Sequence, residues 1–267
     1  MPRIQVGDTH IYYEQHGAGD DVLLIQGLGA NHRFWAPLLP PFTREFRVTL
    51  FDWRGTGLSD KPDKPVTTRM LAADAAGLLD VLGIARAHVV GRSMGGCIAQ
   101  HLAIERPERV RSLLLAATWA KADAMLRRVL KSWADILERM GMESLMEQAF
   151  FWCFPRGVFE PEGQRELSLI GEVVGDAAKL GQPADAFRRL STAGQEHDAV
   201  SELGRIQAPT LVMVGSEDIL TPIHLARVLA EGIPKARLRI VPGGGHAFYE
   251  HMPALFAEEA IEFWKAH

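Results

Sequence analysis

The sequence predicts an α/β fold: a mostly parallel sheet covered by helices on both faces and opened once by an all-helical insertion. Three observations carry this. Short apolar runs recur at 22–26 (VLLIQ), 46–51 (FRVTLF), 87–91 (AHVVG), 110–116 (VRSLLLA), 210–215 (TLVMVG) and 236–241 (ARLRIV). Several are rich in Val, Leu and Ile with little polar alternation, as expected of strands buried on both faces. Helix-length patterns separate them, and strand–helix alternation argues for a parallel sheet. That alternation stops between about 119 and 203, where the pattern is helical throughout.

In order along the chain, 3–6 and 9–14 read as two strands of a hairpin around Gly7 and Asp8, adding an antiparallel edge. The parallel strands follow, with helices expected over 67–82, 94–105, 222–231 and 253–265. The insertion holds Trp133, Met140, Met142, Met146, Phe150, Phe151, Trp152 and Phe154, punctuated by Pro155, Gly157, Pro161, Gly163 and Pro183. IQAPTLVMVG then restarts the sheet. The expected organisation is a core formed by 1–118 and 204–267, with 119–203 as a helical cap over whatever the sheet carries.

Composition narrows the function classes. With 267 residues, 47% hydrophobic and 23% charged, the chain suits one α/β domain with an insertion. A net charge of −4 gives no electrostatic reason to expect nucleic acid or an anionic membrane as partner. The basic pairs Arg127-Arg128 and Arg188-Arg189 are short and read as solvated helix faces. Cys97 and Cys153 form no CxxC motif and read as buried free thiols, which suits a reducing compartment. The alternating N-terminus reads as strands rather than a signal peptide, and no apolar run reaches membrane-span length. The expectation is a soluble, cytoplasmic protein with a small-molecule partner.

Gly91, Ser93 and Gly95 form G-x-S-x-G between a strand and a helix. That context is what a nucleophile elbow needs: the serine is held in a strained turn, and side chains two residues before or after would collide with the opposite limb. A phosphate-binding turn competes poorly, because neither GxxxxGK[ST] nor a complete G-x-G-x-x-G is present. A plain N-cap role for Ser93 is the remaining alternative. A serine needs a base. His246, in VPGGGHAFYEHMP, lies in a loop that follows the last strand and precedes the last helix. His251, at the start of that helix, reads as solvent-facing. The acid that orients the base is expected at Asp218, just past a buried strand. Its rivals are the adjacent Glu217 and Asp123, which follows the preceding strand.

With QGLG, DWRGTGLSD, GRSMGG, GSEDILTP and GGGH in this order, the chain resembles the α/β-hydrolase superfamily over nearly its whole length. The resemblance implies eight strands with the second antiparallel and a cap after strand six. It supports Ser93 as nucleophile, His246 as base and Asp218 as acid. It adds an oxyanion hole from the backbone N–H groups of Leu28 and Met94. Two departures stand out. Gln26 replaces a histidine common in relatives and is expected to hold its loop by other hydrogen bonds. Arg92, beside the serine, is expected either to brace the elbow or to pair with a carboxylate. DWRGTGLSD reads as structural, with Asp52 and Arg54 bonding backbone groups.

The closest likeness is to small carboxylesterases and 3-oxoadipate enol-lactonase, which implies hydrolysis of a small to medium ester or lactone through an acyl-enzyme. The chemistry needs neither metal nor cofactor. A serine at the nucleophile position argues against haloalkane dehalogenases and epoxide hydrolases, whose nucleophile is aspartate. Carbon–carbon bond hydrolases and cofactor-free haloperoxidases or perhydrolases share the serine triad. A ligand-sensing receptor of the same fold is the alternative from another class. A dianionic lactone would call for cations at the pocket, with Arg92 a candidate, whereas the aromatic cap favours an apolar substrate. Trp119, Trp133, Phe150 and Trp152 are the expected pocket residues.

Overall fold

The structure, a computed structural model, describes residues 3–163, 168, 171–172, 175, 179–180 and 182–267. Eight strands form one sheet: β1 (Arg3–Val6), β2 (Thr9–His16), β3 (Asp20–Ile25), β4 (Phe46–Asp52), β5 (Ala87–Arg92), β6 (Val110–Ala116), β7 (Thr210–Gly215) and β8 (Ala236–Val241). Their spatial order is β1-β2-β4-β3-β5-β6-β7-β8. β1 pairs antiparallel with β2 and β2 antiparallel with β4, while every later pairing is parallel. This is the α/β-hydrolase arrangement, with its helical insertion after β6. β2 runs two residues beyond the expected 9–14, because Gln15 and His16 pair with Thr49 and Val48 of β4 although neither is apolar.

The central strands divide their side chains between two apolar layers, as period-2 geometry requires. Leu113 and Leu115 of β6 enter one layer, Leu114 and Ala116 the other. The first layer is covered by α2 (Thr68–Val81), α3 (Met94–Glu105) and α6 (Ile223–Gly232), the second by α1 (Leu39–Phe42) and α8 (Pro253–Lys265). The helices begin where local chemistry lets them: the Thr67 hydroxyl accepts the Met70 N–H at 3.2 Å ahead of α2. The turn of 3-10 helix at His32–Leu38 and the short α1 were not expected. Pro37, Pro40 and Pro41 break the periodic signal there.

After β6 the chain enters α4 (Ala124–Cys153), broken at Gly141, whose φ of 87° and ψ of 178° no helix accommodates. α5 (Ala184–Glu196) packs against α4, where Ser191 Oγ donates to the Leu130 carbonyl at 2.8 Å. An antiparallel bridge between Lys121 and Asp198 ties the two ends of the insertion together. Among the described residues no helix is long and apolar enough to cross a membrane.

Parallel order places the loops after β3, β5, β7 and β8 at one edge. From β3 the chain moves to β4 on one side and later returns to β5 on the other. That reversal opens a crevice at the carboxyl ends of β3 and β5, the usual place for a ligand in an open α/β sheet.

Candidate active site

At that crevice Ser93 has φ 51° and ψ −127°, a conformation that side chains other than glycine's rarely adopt. The glycines around it are steric conditions. A Cβ on Gly91 would lie 2.5 Å from the Gly95 carbonyl oxygen and 2.7 Å from Gly96 Cα, so the two limbs of the turn do touch there. Gly95 differs from expectation: its Cβ would strike the carbonyl oxygens of Ile25 and Gln26, both at 2.3 Å, at the end of the neighbouring β3. Gly96 lets α3 approach the chain after β6, its Cβ position lying 2.4 Å from Thr118 Oγ1.

The other limb comes from β7 and β8. Gly215 lies against Gly244, with a Cβ position 2.0 Å from the Gly244 carbonyl oxygen, so the loop carrying His246 presses onto the end of β7. The Ala247 N–H donates to the Cys153 carbonyl at 2.8 Å, anchoring the same loop to the end of α4. These contacts bring together the three residues that the sequence singled out. Ser93 Oγ donates to His246 Nε2 at 3.0 Å, and His246 Nδ1 donates to Asp218 Oδ2 at 3.0 Å. His246 and Asp218 are buried.

Asp218 is held by more than the histidine. Its Oδ1 accepts the N–H groups of Leu220 and Thr221 at 2.9 and 2.7 Å, and Thr221 Oγ1 donates to Oδ2 at 2.7 Å. Thr221 Oγ1 also lies 3.0 Å from His246 Nδ1, so the hydroxyl that donates to the acid can accept from the ring. Burial pushes the Asp218 carboxyl up, but the imidazole beside it and the hydrogen bonds from His246 and Thr221 outweigh this and leave it below its ordinary value. Thr221 is a site residue that sequence reasoning missed. A threonine three residues after an aspartate has no distinctive signal.

The rivals fall elsewhere. Asp123 caps α4 by accepting the Leu126 N–H at 2.8 Å, and its other oxygen faces His224 at 3.2 Å. Glu217 is exposed. His251 is half-buried rather than solvent-facing, its ring edge-on to Phe154. Gly27 packs against Ser93, its Cβ position 3.1 Å from Ser93 Cβ, which sets Leu28 beside the serine. Leu28 lines the cavity, and neither its N–H nor that of Met94 donates to a backbone carbonyl among the described residues.

Of the two departures, Gln26 resolves differently from expectation, whereas Arg92 takes one of its two expected roles and pairs with a carboxylate. Gln26 is fully buried, and both its side-chain polar atoms lack partners among the described residues, so it does not hold its loop by side-chain hydrogen bonds. That task falls to Asp52, which accepts the His32 N–H and ring Nδ1 at 2.7 and 2.9 Å and the Leu58 N–H at 2.8 Å. Arg54 bonds carboxylates rather than backbone: it grips Asp74 at 2.5 and 2.7 Å and reaches Asp8 at 2.9 Å. Arg92 pairs with Glu250 at 2.6 Å and lies 4.6 to 5.3 Å from the ring centres of Tyr249, Trp35 and Phe34.

Above Ser93 and His246 is a cavity of about 100 Å³. Trp119, Trp133 and Phe150 line it, with Met146, Ala149 and Cys153. Trp152 does not. It lines a groove with Met125, Arg128 and Val129 on another face of α4. Helix geometry explains the split: 146, 149, 150 and 153 share a face at i, i+3, i+4 and i+7, whereas 152 is about 200° round from 150. Cys153, expected to be buried, is half-buried on the cavity wall, and burial pushes its thiol up. Among the described residues no three His, Cys, Asp or Glu side chains are grouped as a metal site requires.

Known proteins share this architecture. The family description "alpha/beta hydrolase fold" matches residues 21–140. A protein of Azorhizobium caulinodans named "Putative carbamate hydrolase RutD" is 36% identical over 267 residues, covering 98% of each chain. The enol-lactonase of Burkholderia xenovorans superposes with a TM-score of 0.90 at 26% identity, covering 99% of this chain and 100% of that one. A thermophilic esterase of Thermogutta terrifontis gives 0.88 at 25% identity, covering 100% and 99%. With the strand order, the serine turn and relatives matched from end to end, the chain belongs to the α/β-hydrolase family.

Proposed function

We propose that the protein is a serine hydrolase that cleaves a small to medium carboxylic ester or lactone. One observation carries this reading: Ser93 Oγ lies 3.0 Å from His246 Nε2, whose other nitrogen lies 3.0 Å from the buried Asp218 carboxylate, at the floor of a largely apolar cavity. His246 takes the hydroxyl proton as Ser93 Oγ bonds to the carbonyl carbon. The N–H groups of Leu28 and Met94 receive the oxyanion. His246 then returns the proton to the departing alkoxide as the carbon–oxygen bond breaks. Water, deprotonated by the same imidazole, adds to the acyl carbon, and the imidazolium returns that proton to Ser93 Oγ as the acyl carbon–oxygen bond breaks and the acid leaves. Asp218 fixes the ring tautomer and stabilises the imidazolium, and Thr221 holds the carboxylate in place. Trp119, Trp133 and Phe150 form the apolar wall against which the acyl or alcohol part packs.

A carbamate is a second reading, favoured by the name of the relative with 36% identity over 98% of the chain. The same attack on a carbonyl would serve, with nitrogen or oxygen leaving. A panel of p-nitrophenyl esters and carbamates separates the two. Ester turnover is expected, with loss of at least three orders of magnitude in Ser93→Ala, since triad members act as a unit. Full activity in that variant, or a folded wild type that turns over no ester or carbamate, refutes the hydrolase reading and leaves the ligand-sensor alternative.

A further inference from the structure

Apart from Ser93 and His246 at its floor, the cavity is charged at one corner only. There Arg92 and Glu250 meet at 2.6 Å, with side chains only 2% and 13% exposed. They come from opposite halves of the site. Arg92 immediately precedes Ser93, and Glu250 stands one helical turn after His246, in α7 (Phe248–His251). Among the described residues Arg92 is the one lysine or arginine on the cavity wall. Its charge is already matched: one nitrogen bonds Glu250 Oε1, and three aromatic rings pack around the guanidinium. Glu250 Oε2 accepts no hydrogen bond among the described residues and, unlike Arg92 Nε, is not sealed from solvent.

A carboxylate-bearing substrate that entered this cavity would give up its hydration. It would find the charge of the one cation already matched and would meet the Glu250 carboxylate on the same wall. Burying a charge without a partner is costly, and like charges at close range repel. A neutral substrate meets neither penalty. We propose that Glu250 is the specificity-determining residue that excludes anionic substrates by neutralising Arg92, so that the cavity takes neutral esters or lactones. This rests on the serine hydrolase reading.

The test uses two esters matched in length and leaving group: p-nitrophenyl pentanoate, and p-nitrophenyl hemiglutarate, which ends in a carboxylate. For each enzyme the ratio of kcat/KM, neutral over anionic, is read, so changes in the chemical step cancel. Wild type is expected to favour the pentanoate. Glu250→Gln keeps an acceptor for Arg92 but frees its charge, and should shrink the ratio by about tenfold or more. Arg92→Gln leaves Glu250 uncompensated and should widen it. Should Glu250→Gln fail to fold, the double variant Arg92→Gln/Glu250→Gln replaces it. Its ratio should fall about tenfold below that of Arg92→Gln, because only the carboxylate differs between them. Equal ratios in wild type and Glu250→Gln, or in Arg92→Gln and the double variant, overturn the proposal. Ester turnover with an invariant ratio sinks this inference alone, whereas absence of all turnover in folded wild type sinks the hydrolase reading beneath it.

Discussion

The strain at Ser93 can be weighed by comparing two variants that both lack the hydroxyl, Ser93→Ala and Ser93→Gly. Each loses the bond to His246, so that difference cancels. What remains is the backbone at φ 51° and ψ −127°. Alanine keeps the Cβ that makes this conformation unfavourable, by about 1–3 kcal/mol. Glycine removes that cost but gives the unfolded chain more freedom, by about 0.4–1 kcal/mol. Taking the middle of each range leaves the glycine variant more stable by about 1 kcal/mol. At an ordinary helix position the same exchange runs the other way by about 1 kcal/mol, so the sign itself is diagnostic. Urea unfolding measures it: with m near 3 kcal/mol/M the midpoint of Ser93→Gly should lie about 0.3 M above that of Ser93→Ala. Thermal unfolding should show about 2–4 °C in the same direction. A glycine variant equal to or less stable than the alanine variant would refute the claim that the turn stores strain at this residue.

Two further outcomes are expected. Thr221→Val should lower kcat/KM about tenfold by removing a hydrogen bond to the buried carboxylate, while Thr221→Ser stays near wild type; equal activity in the valine variant would mean that the two backbone donors suffice. Burial lowers His88 and His101 to about 4 and His197 to about 3, helped by Arg111, Arg69 and His101 respectively, so all three are neutral in the fold and charge on unfolding. Their contribution is complete above about pH 6.5 and is lost as pH falls toward 4 and then 3, each group adding up to about 1.4 kcal/mol per pH unit. Urea midpoints should therefore drop between pH 7.5 and 5, and less steeply in His197→Gln; a flat profile contradicts the assignment.

What was legible in the sequence is what local pattern encodes. Fully buried strands such as AHVVG and LVMVG carry their own signature, and Ser93 and Asp218 lie just past their carboxyl ends, while His246 follows the partly exposed β8. The glycines at 91, 95 and 96 are visible as punctuation, but their reasons are not. Gly95 answers to carbonyls of β3, which the sequence places about 70 residues earlier, and Gly96 answers to Thr118. Likewise Arg54 was expected on backbone groups and instead holds Asp74 and Asp8, a choice that depends on where α2 lands. Phe150 and Trp152 look equivalent as letters. Only the rotation of α4 about its axis sends one into the cavity and the other to the outer groove.

Arg92 shows why substrate preference is harder to read than chemistry. A reacting serine imposes demands on its immediate neighbours, so the turn is written locally in glycine. The charge state of the pocket is a sum over side chains from unrelated segments. Arg92 alone suggests a cradle for a carboxylate, and an anionic lactone would then fit. Glu250, 158 residues away, cancels that suggestion at a distance of 2.6 Å. The three rings around the guanidinium reinforce the cancellation, since they hold the cation against the wall and leave it little reach into the cavity. The same salt bridge links the turn of Ser93 to the helix one turn beyond His246, so reversing either charge should disturb both selectivity and the alignment of Ser93 with His246. That coupling is why the ratio of two substrates, rather than the rate on one, isolates the role of Glu250.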